Sequence, residues 1–213
     1  ADNIPGTSSP VLLAATSDGI FQINGKKSVK LFVATALSIH QCKTNPERIF
    51  TGLKDGVSSF HFKNGTWIND GYLSGISKPI HMIRESENNQ VWFATKFEGA
   101  YKVDLSGGFE NSPPIAHFDT TYGLPAGRLN LFTAKNEVLF ATPKGLYRYK
   151  VNSGDKIKKF FPDTSFGKMF SDGSRDVFYA FEDNKQNLWM NTGGGNGVAY
   201  RKRDGTYRWE DKP

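Results

Sequence analysis

The chain repeats one phrase five times, and this repetition limits its fold more than any other feature. The phrase is a short apolar run, small residues, a Thr, a tight turn, a Gly and an alternating run. It reads "VLLAATSDGIFQI" at residues 11–23, "RIFTGLKDGVSSFHF" at 48–62, "VWFATKFEGAYKV" at 91–103, "VLFATPKGLYRY" at 138–149 and "LWMNTGGGNGVAYRK" at 188–202. The anchoring glycines Gly19, Gly56, Gly99, Gly145 and Gly197 stand 37, 43, 46 and 52 residues apart. Each copy reads as a β-hairpin. A first strand ends at Thr16, Gly52, Thr95, Thr142 or Thr192, and a turn of two to four residues follows. The anchoring Gly opens the return strand, because turns this short need residues that tolerate positive φ. The glycine cluster of the fifth copy suggests a phosphate loop at first sight. Such a loop needs a helix behind it to supply N–H donors. The following "GVAYRKRDGTYRW" alternates and turns at Asp204-Gly205 instead, so the cluster reads as the longest and most glycine-rich of the five turns.

Each hairpin is followed by a strand closing on an aromatic: Phe32, Trp67, Phe118, Phe160 or Trp209. Between copies lies one more apolar strand, "ALSIHQC" (36–42), "IHMIRE" (80–85), "RLNLFTA" (128–134) or "VFYAFED" (177–183). Four short antiparallel strands in about 45 residues is the period and content of a propeller blade. The expected fold is therefore all-β, a β-propeller of about five four-stranded antiparallel blades in a single domain over 1–213. Blade-like repeats are expected at 11–32, 36–68, 80–118, 128–160 and 177–209. A sheet this thin cannot bury both faces alone, so blades must stack. Ala15, Ala94 and Ala141 mark close approach between sheets, and Trp92, Phe93, Phe140, Trp189 and Met190 are expected to fill the space between blades. Trp92 and Trp189 recur at one repeat position, which favours core packing over sugar stacking. The opening "ADNIPGTSSP" consists of strand breakers, so the first blade should hold three strands and the other four should be complete. Such a chain is either a small ring with one incomplete blade or, the preferred expectation, a portion excised from a larger ring. A chain that starts at Ala1 is also expected to lack the start of its gene product.

The aromatic list of 17 Phe, 8 Tyr and 4 Trp in 213 residues favours strands over helices. The formal charge of +6 is spread along the chain, with small clusters at Lys26-Lys27, Lys156-Lys158-Lys159 and Arg201-Lys202-Arg203 that read as solvated hairpin ends. Zinc-type spacing, a helical basic face and RNA-binding signatures are all missing, so nucleic acid is not an expected partner. The single cysteine, Cys42, excludes an internal disulfide framework and a multi-cysteine metal site. With no run of 18 apolar residues, the sequence holds no transmembrane segment.

The stretch "FDTTYGLPAGRLNLFTAKNEVLFATPKGLYRYK" at 118–150 resembles the two-component regulator propeller repeat. That repeat carries a Gly-Leu-Pro turn, a strand, an acidic turn, a Leu-Trp strand ending in Thr, then Gly-Leu-Tyr and an alternating run. "FEDNKQNLWMNTGGGNGVAYRK" (181–202) and "ESENNQVWFATKFEGAYKVD" (85–104) are similar to its second half. The first two copies depart from it: Gly52 replaces Thr, and neither holds the Trp. The resemblance implies a periplasmic sensor region, the ectodomain of an inner-membrane sensor histidine kinase or diguanylate cyclase. It also implies that neighbouring domains of the same signalling protein are partners, and that the full-length protein dimerises. The small β-sandwich, membrane helix and output domain of such proteins are not among these residues.

Little in the sequence points to catalysis. His40, His61, His81 and His117 fall on different strands, and no pair has metal-ligand spacing. No metal, cofactor or catalytic residue is expected. His40 and His81 lie on predicted first strands, from which they could converge. A Gly-x-Ser-x-Gly elbow is missing. Asp18, Asp55 and Glu98 precede anchoring glycines as turn residues do, although Asp55 and Glu98 could line one rim as a glycosidase requires. Binding is easier to place, since hairpin turns and interblade connections should emerge on one face. Lys54, Lys96, Phe97, Lys144 and Asn196 come from the turns, and Lys78, Tyr122, Arg128 and Arg175 from the connections. This basic and aromatic rim suits a carbohydrate or an anionic small molecule. The expected function is a non-enzymatic extracytoplasmic sensing module that binds a small molecule, oligosaccharide or partner on this loop face. The alternatives are a propeller enzyme, a lyase or glycosidase acting on anionic polysaccharide with His81 essential, and a plain protein-interaction scaffold.

Overall fold

The computed structural model describes residues 11–87, 89–109, 113–151 and 159–211. Residues 1–10, and with them the breaker-rich opening, lie outside the described residues, as do Lys156 and Lys158 of the second basic cluster. Among the described residues nineteen strands run in chain order. The first sheet holds β1 (Leu12–Thr16), β2 (Gly19–Asn24) and β3 (Lys27–Phe32), and the second β4 (Ala36–Gln41), β5 (Arg48–Leu53), β6 (Gly56–Lys63) and β7 (Thr66–Tyr72). The third holds β8 (Met82–Glu85), β9 (Gln90–Ala94), β10 (Ala100–Asp104) and β11 (Ile115–Phe118). The fourth holds β12 (Asn130–Ala134), β13 (Glu137–Thr142), β14 (Gly145–Tyr149) and β15 (Phe160–Pro162), and the fifth β16 (Val177–Glu182), β17 (Leu188–Thr192), β18 (Gly195–Arg201) and β19 (Tyr207–Asp211). In every sheet the spatial order follows the chain. This is an all-β fold of propeller blades, with, among the described residues, three strands in the first blade and four in each of the others. The chain clusters into two compact units, residues 1–85 and 86–213.

The Thr-turn-Gly phrase sets the local geometry. Thr142 Oγ1 donates to the Gly145 carbonyl at 2.8 Å and accepts from Lys144 N at 3.2 Å. The same double bond is made by Thr16 with Gly19 and Asp18, by Thr95 with Gly99 and Glu98, and by Thr192 with Gly195 and Gly194. One hydroxyl thus satisfies a turn N–H and a strand-end carbonyl together. Gly145 takes φ +104°, and a Cβ there would collide with the Phe170 carbonyl, because the segment leaving the blade's outer strand crosses it. Gly99 stands in the same relation to the Phe118 carbonyl.

Two registers differ from the sequence expectation. In the fifth copy the return strand opens at Gly195, paired with Thr192, and Gly197 lies two residues inside it opposite Met190. The turn is the two residues Gly193-Gly194, the same length as Ser17-Asp18, and not the longest of the five. In a run of four glycines broken by one Asn, the Thr hydroxyl decides which glycine closes the turn. In the second copy Leu53, not Gly52, pairs with the anchoring Gly56. Gly52 sits one residue earlier, where a Cβ would strike the Ile80 carbonyl.

Faces alternate as a stacked blade requires. Trp92 of β9 is buried against blade four, with its ring 5.0 Å from Phe140, 5.2 Å from Tyr149 and 6.0 Å from Phe160. The next junction is a single apolar cluster in which Phe132, Leu139 and Ala141 meet Val177, Leu188, Met190 and Ala199. Ala94 and Ala141 are fully buried, as the small-residue argument requires. Trp189 is the exception: expected in the core, it is exposed, and its Nε1–H donates to Asp183 Oδ2 at 3.0 Å. Alternation along β17 places Trp189 with Asn191 on the face opposite Leu188, Met190 and Thr192, and Trp189 is not packed on that face as the equivalent Trp92 is against Phe140.

We expect Gly145→Ala to cost about 2 kcal/mol or more, combining strained φ with displaced backbone. Thr142→Ala should cost about 1 kcal/mol, with Thr142→Ser nearly neutral. Trp92→Ala should cost about 3–5 kcal/mol. Equilibrium urea unfolding of the four variants orders these losses.

Candidate functional site

The loop-face expectation can be followed residue by residue in the unit 86–213. The hairpin turn Lys96-Phe97-Glu98 joins β9 to β10, and Leu129 N donates to the Lys96 carbonyl at 3.0 Å, sewing the connection into blade four onto this turn. That connection starts at Asp119. Its Oδ1 accepts from Thr121 N at 2.9 Å and from Thr121 Oγ1 at 2.6 Å, starting the short 3-10 turn Thr120–Tyr122. Between turn and connection opens a cavity of about 250 Å³ lined by Phe97, Glu98, His117, Asp119, Thr120 and Pro125 among others.

Phe97 is exposed, and Lys96 Nζ stands 5.4 Å from its ring centroid. His117 Nε2 lies 2.8 Å from the Glu98 carbonyl, so Nε2 carries the proton and donates. The hydroxyl and amide of Thr121 hold the Asp119 carboxyl below its usual range, so it is ionised at neutral pH. The site therefore combines an apolar ring with acceptor oxygens and one lysine. That chemistry suits a ligand with hydroxyl donors and a C–H face better than one of high negative charge. Glu98 was read as a turn residue that could line a rim with Asp55, whereas the structure sets it beside His117 and Asp119, which carried no signal of their own.

The other expected site residues are placed variously. Tyr122 packs edge-on to Phe118 at 5.1 Å, and its carbonyl accepts from Lys159 N. Arg128 clamps blade four to blade five: Nη2 donates to Asp176 Oδ1 at 2.5 Å and to the Val177 carbonyl at 3.1 Å, and the guanidinium lies 4.2 Å from the Phe178 ring centroid. Lys144 is exposed at its turn. Arg175 lies against Gly194 and, with Ser174, Asp176 and Asp211, borders a shallower cavity of about 570 Å³. Asn196 is in strand β18, not in the turn, and accepts from Asn191 Nδ2 at 2.5 Å. In the unit 1–85, Lys54 is exposed at its turn and its backbone N donates to the Thr35 carbonyl. Lys96 and Phe97 are brought together; Lys144 stands at its own turn, Arg175 in the connection before β16 and Asn196 within β18.

His40 and His61 serve structural polar networks. His40 Nε2 is 3.3 Å from Glu85 Oε2, and Glu85 also accepts from Lys43 N at 2.7 Å and Thr44 Oγ1 at 3.3 Å, with Cys42 Sγ at 3.6 Å. His61 pairs with Asp70 at 2.5 Å, and Asp70 takes buried Arg48 at 2.7 Å. His81 precedes β8 instead of lying on it. Among the described residues no three His, Cys, Asp or Glu side chains are grouped to hold a metal ion. No helix among them is long and apolar enough to cross a membrane.

Comparison with known proteins gives likeness of fold. Two solved structures, extracellular domains assigned to hybrid two component systems of B. thetaiotaomicron, match with TM-scores of 0.67 and 0.63 at 16% and 15% identity. They cover 96% and 93% of this chain, which spans only 26% and 28% of theirs. Virginiamycin B lyase from Staphylococcus aureus matches with a TM-score of 0.61 at 13% identity, over 97% of this chain and 68% of the lyase. No protein-family model matches the sequence, and no curated protein does. The resemblance carried by residues 85–104, 118–150 and 181–202 is thus met at the level of the fold.

Burial alone pushes the Glu85 carboxyl up, but His40 and the donors of Lys43 and Thr44 together outweigh it and hold it below its usual range. Stability from a depressed carboxyl is present above the unfolded pKa of about 4.3 and is lost as pH falls through the folded value. Asp183, held down to about 2 by Trp189 and then by Asn187 and Lys185, adds a lower limb. We expect urea midpoints to fall below about pH 4.3. Glu85→Gln should cost about 1–3 kcal/mol at pH 7 and flatten the first part of that fall.

Proposed function

We propose that this chain is part of a non-enzymatic, extracytoplasmic signal-sensing module of the two-component type. The observation that carries the reading is the loop-face cavity of blade three on a fold shared with two-component extracellular domains. The ligand is a hydroxyl-rich small molecule of the oligosaccharide class. Its C–H face rests on Phe97, and its hydroxyls donate to Asp119 and Glu98, while Lys96 supplies the single cationic contact. Strongly anionic ligands are disfavoured by the two carboxylates at the rim. Ligand bound here touches both the blade-three hairpin and the connection into blade four. It therefore acts on the junction that Leu129 and Lys96 sew together, the natural route from binding to altered packing against neighbouring domains of a dimeric signalling protein. The basic residues on the other turns serve solubility and local packing in this reading.

Isothermal titration of the chain against neutral oligosaccharides, uronic-acid oligosaccharides and organic acids tests this. Binding of a neutral or weakly charged saccharide is expected, weakened at least about tenfold by Phe97→Ala and by Asp119→Asn, with Lys144→Ala unchanged. Turnover of any tested compound, or tighter binding of polyanions, contradicts the reading.

A further inference from the structure

The fifth turn holds more glycine than its geometry requires. Thr192 and Gly195 close it around Gly193 and Gly194, as Thr16 and Gly19 close around Ser17 and Asp18, and Thr142 and Gly145 around Pro143 and Lys144. The sister turns therefore carry side chains at the positions of Gly193 and Gly194. Of these glycines only Gly195 takes positive φ, at +115°, so the backbone does not call for glycine at 193 or 194. What stands over Gly194 is the guanidinium of Arg175: a Cβ there would collide with Nη1 and crowd Cζ. Arg175 Nη1 also lies 3.5 Å from Thr192 Oγ1. The bare turn is a flat seat for one guanidinium.

The cavity of about 570 Å³ that Arg175 borders is lined by a carboxylate as well, Asp211. Its Oδ1 accepts from Trp209 Nε1 at 2.7 Å, and the Trp209 ring packs edge-on to buried Phe170 at 5.0 Å. Asp176, also in the lining, is neutralised by Arg128 at 2.5 Å. Among the described residues, Arg175 and Asp211 pair neither with each other nor with any other charged side chain. One seated cation and one anchored carboxylate thus line a single cavity, within the unit 86–213, without satisfying each other.

We propose that this cavity is a second ligand site, and that it takes a zwitterion of the amino-acid class. The ligand carboxylate accepts from the Arg175 guanidinium, whose planar fork matches a carboxylate, with the Ser174 hydroxyl beside it. The ligand ammonium donates to Asp211. Both protein groups are already held in place, which lowers the cost of ordering them on binding. A simple anion would meet Arg175 but face an unpaired Asp211, and a simple cation the reverse, so selectivity comes from requiring both charges together. The site shares no residue with the blade-three cavity, so it stands or falls apart from the saccharide reading.

Isothermal titration of the 213-residue chain against the standard L-amino acids and γ-aminobutyrate tests it, followed by the N-acetyl and amide forms of the tightest binder. One of the zwitterions is expected to bind, and masking either its ammonium or its carboxylate should weaken binding at least about tenfold. Arg175→Gln and Asp211→Asn should cost a similar factor, with Phe97→Ala unchanged. Gly194→Ala separates a ligand seat from a structural turn. The Arg175 head can swing aside from the new methyl group, so the urea midpoint should hold while affinity falls at least about tenfold. Absence of binding across the whole panel overturns the proposal. So does equal binding of the N-acetyl or amide form, or unchanged affinity in Asp211→Asn or Gly194→Ala.

Discussion

In the first four blades the architecture depends on one contact: the hairpin glycine beneath a crossing main chain. At Gly99 and Gly145 the chain leaving the blade's own outer strand lays a carbonyl where a side chain would begin. The neighbouring threonine hydroxyl closes the turn by bonding a turn N–H and the glycine carbonyl at once. Without that approach the chain could not fold back over its own blade before entering the next. The spacing of first strands would be lost, and with it the packing of Trp92 on Phe140 and of Leu139 on Met190. Local turn chemistry and long-range blade stacking are therefore one constraint and not two.

The same constraint places the candidate site. Because each connection is held against a hairpin turn, grooves form where they meet, and the one at blade three carries an exposed Phe97 beside the ionised Asp119. Arg128 shows the other use of this region. It bonds to Asp176 and to the Val177 carbonyl and fixes blade four to blade five. The cavity lining and the junction between blades thus draw on adjacent residues of a single connection, 119–129.

The strands were legible in the sequence because period-two runs bounded by Thr and Gly leave little freedom, and Thr16, Thr95, Thr142 and Thr192 all sit where the phrase puts them. The register of the fifth turn was not, since four glycines around Asn196 offer several equivalent closures and only the Thr192 bonds choose Gly195. Trp189 was misplaced by an argument from recurrence: its position is a core position only where a following blade covers it. The Glu85 network was invisible because Cys42, Lys43, Thr44 and His40 meet that carboxylate across more than 40 residues, a proximity no local pattern encodes. Asp119 was overlooked for the opposite reason, as a turn residue like many others until the cavity beside it is seen.

The central claim is that separate radial sheets bury one another through equivalent positions, and side-chain NMR of the unit 86–213 within the intact chain tests it most directly. The account predicts nuclear Overhauser contacts from the Trp92 indole to the rings of Phe140 and Phe160, with no backbone pairing between β11 and β12. A hydrogen-bonded ladder joining β11 to β12 in one continuous sheet, with Trp92 in water, would contradict it.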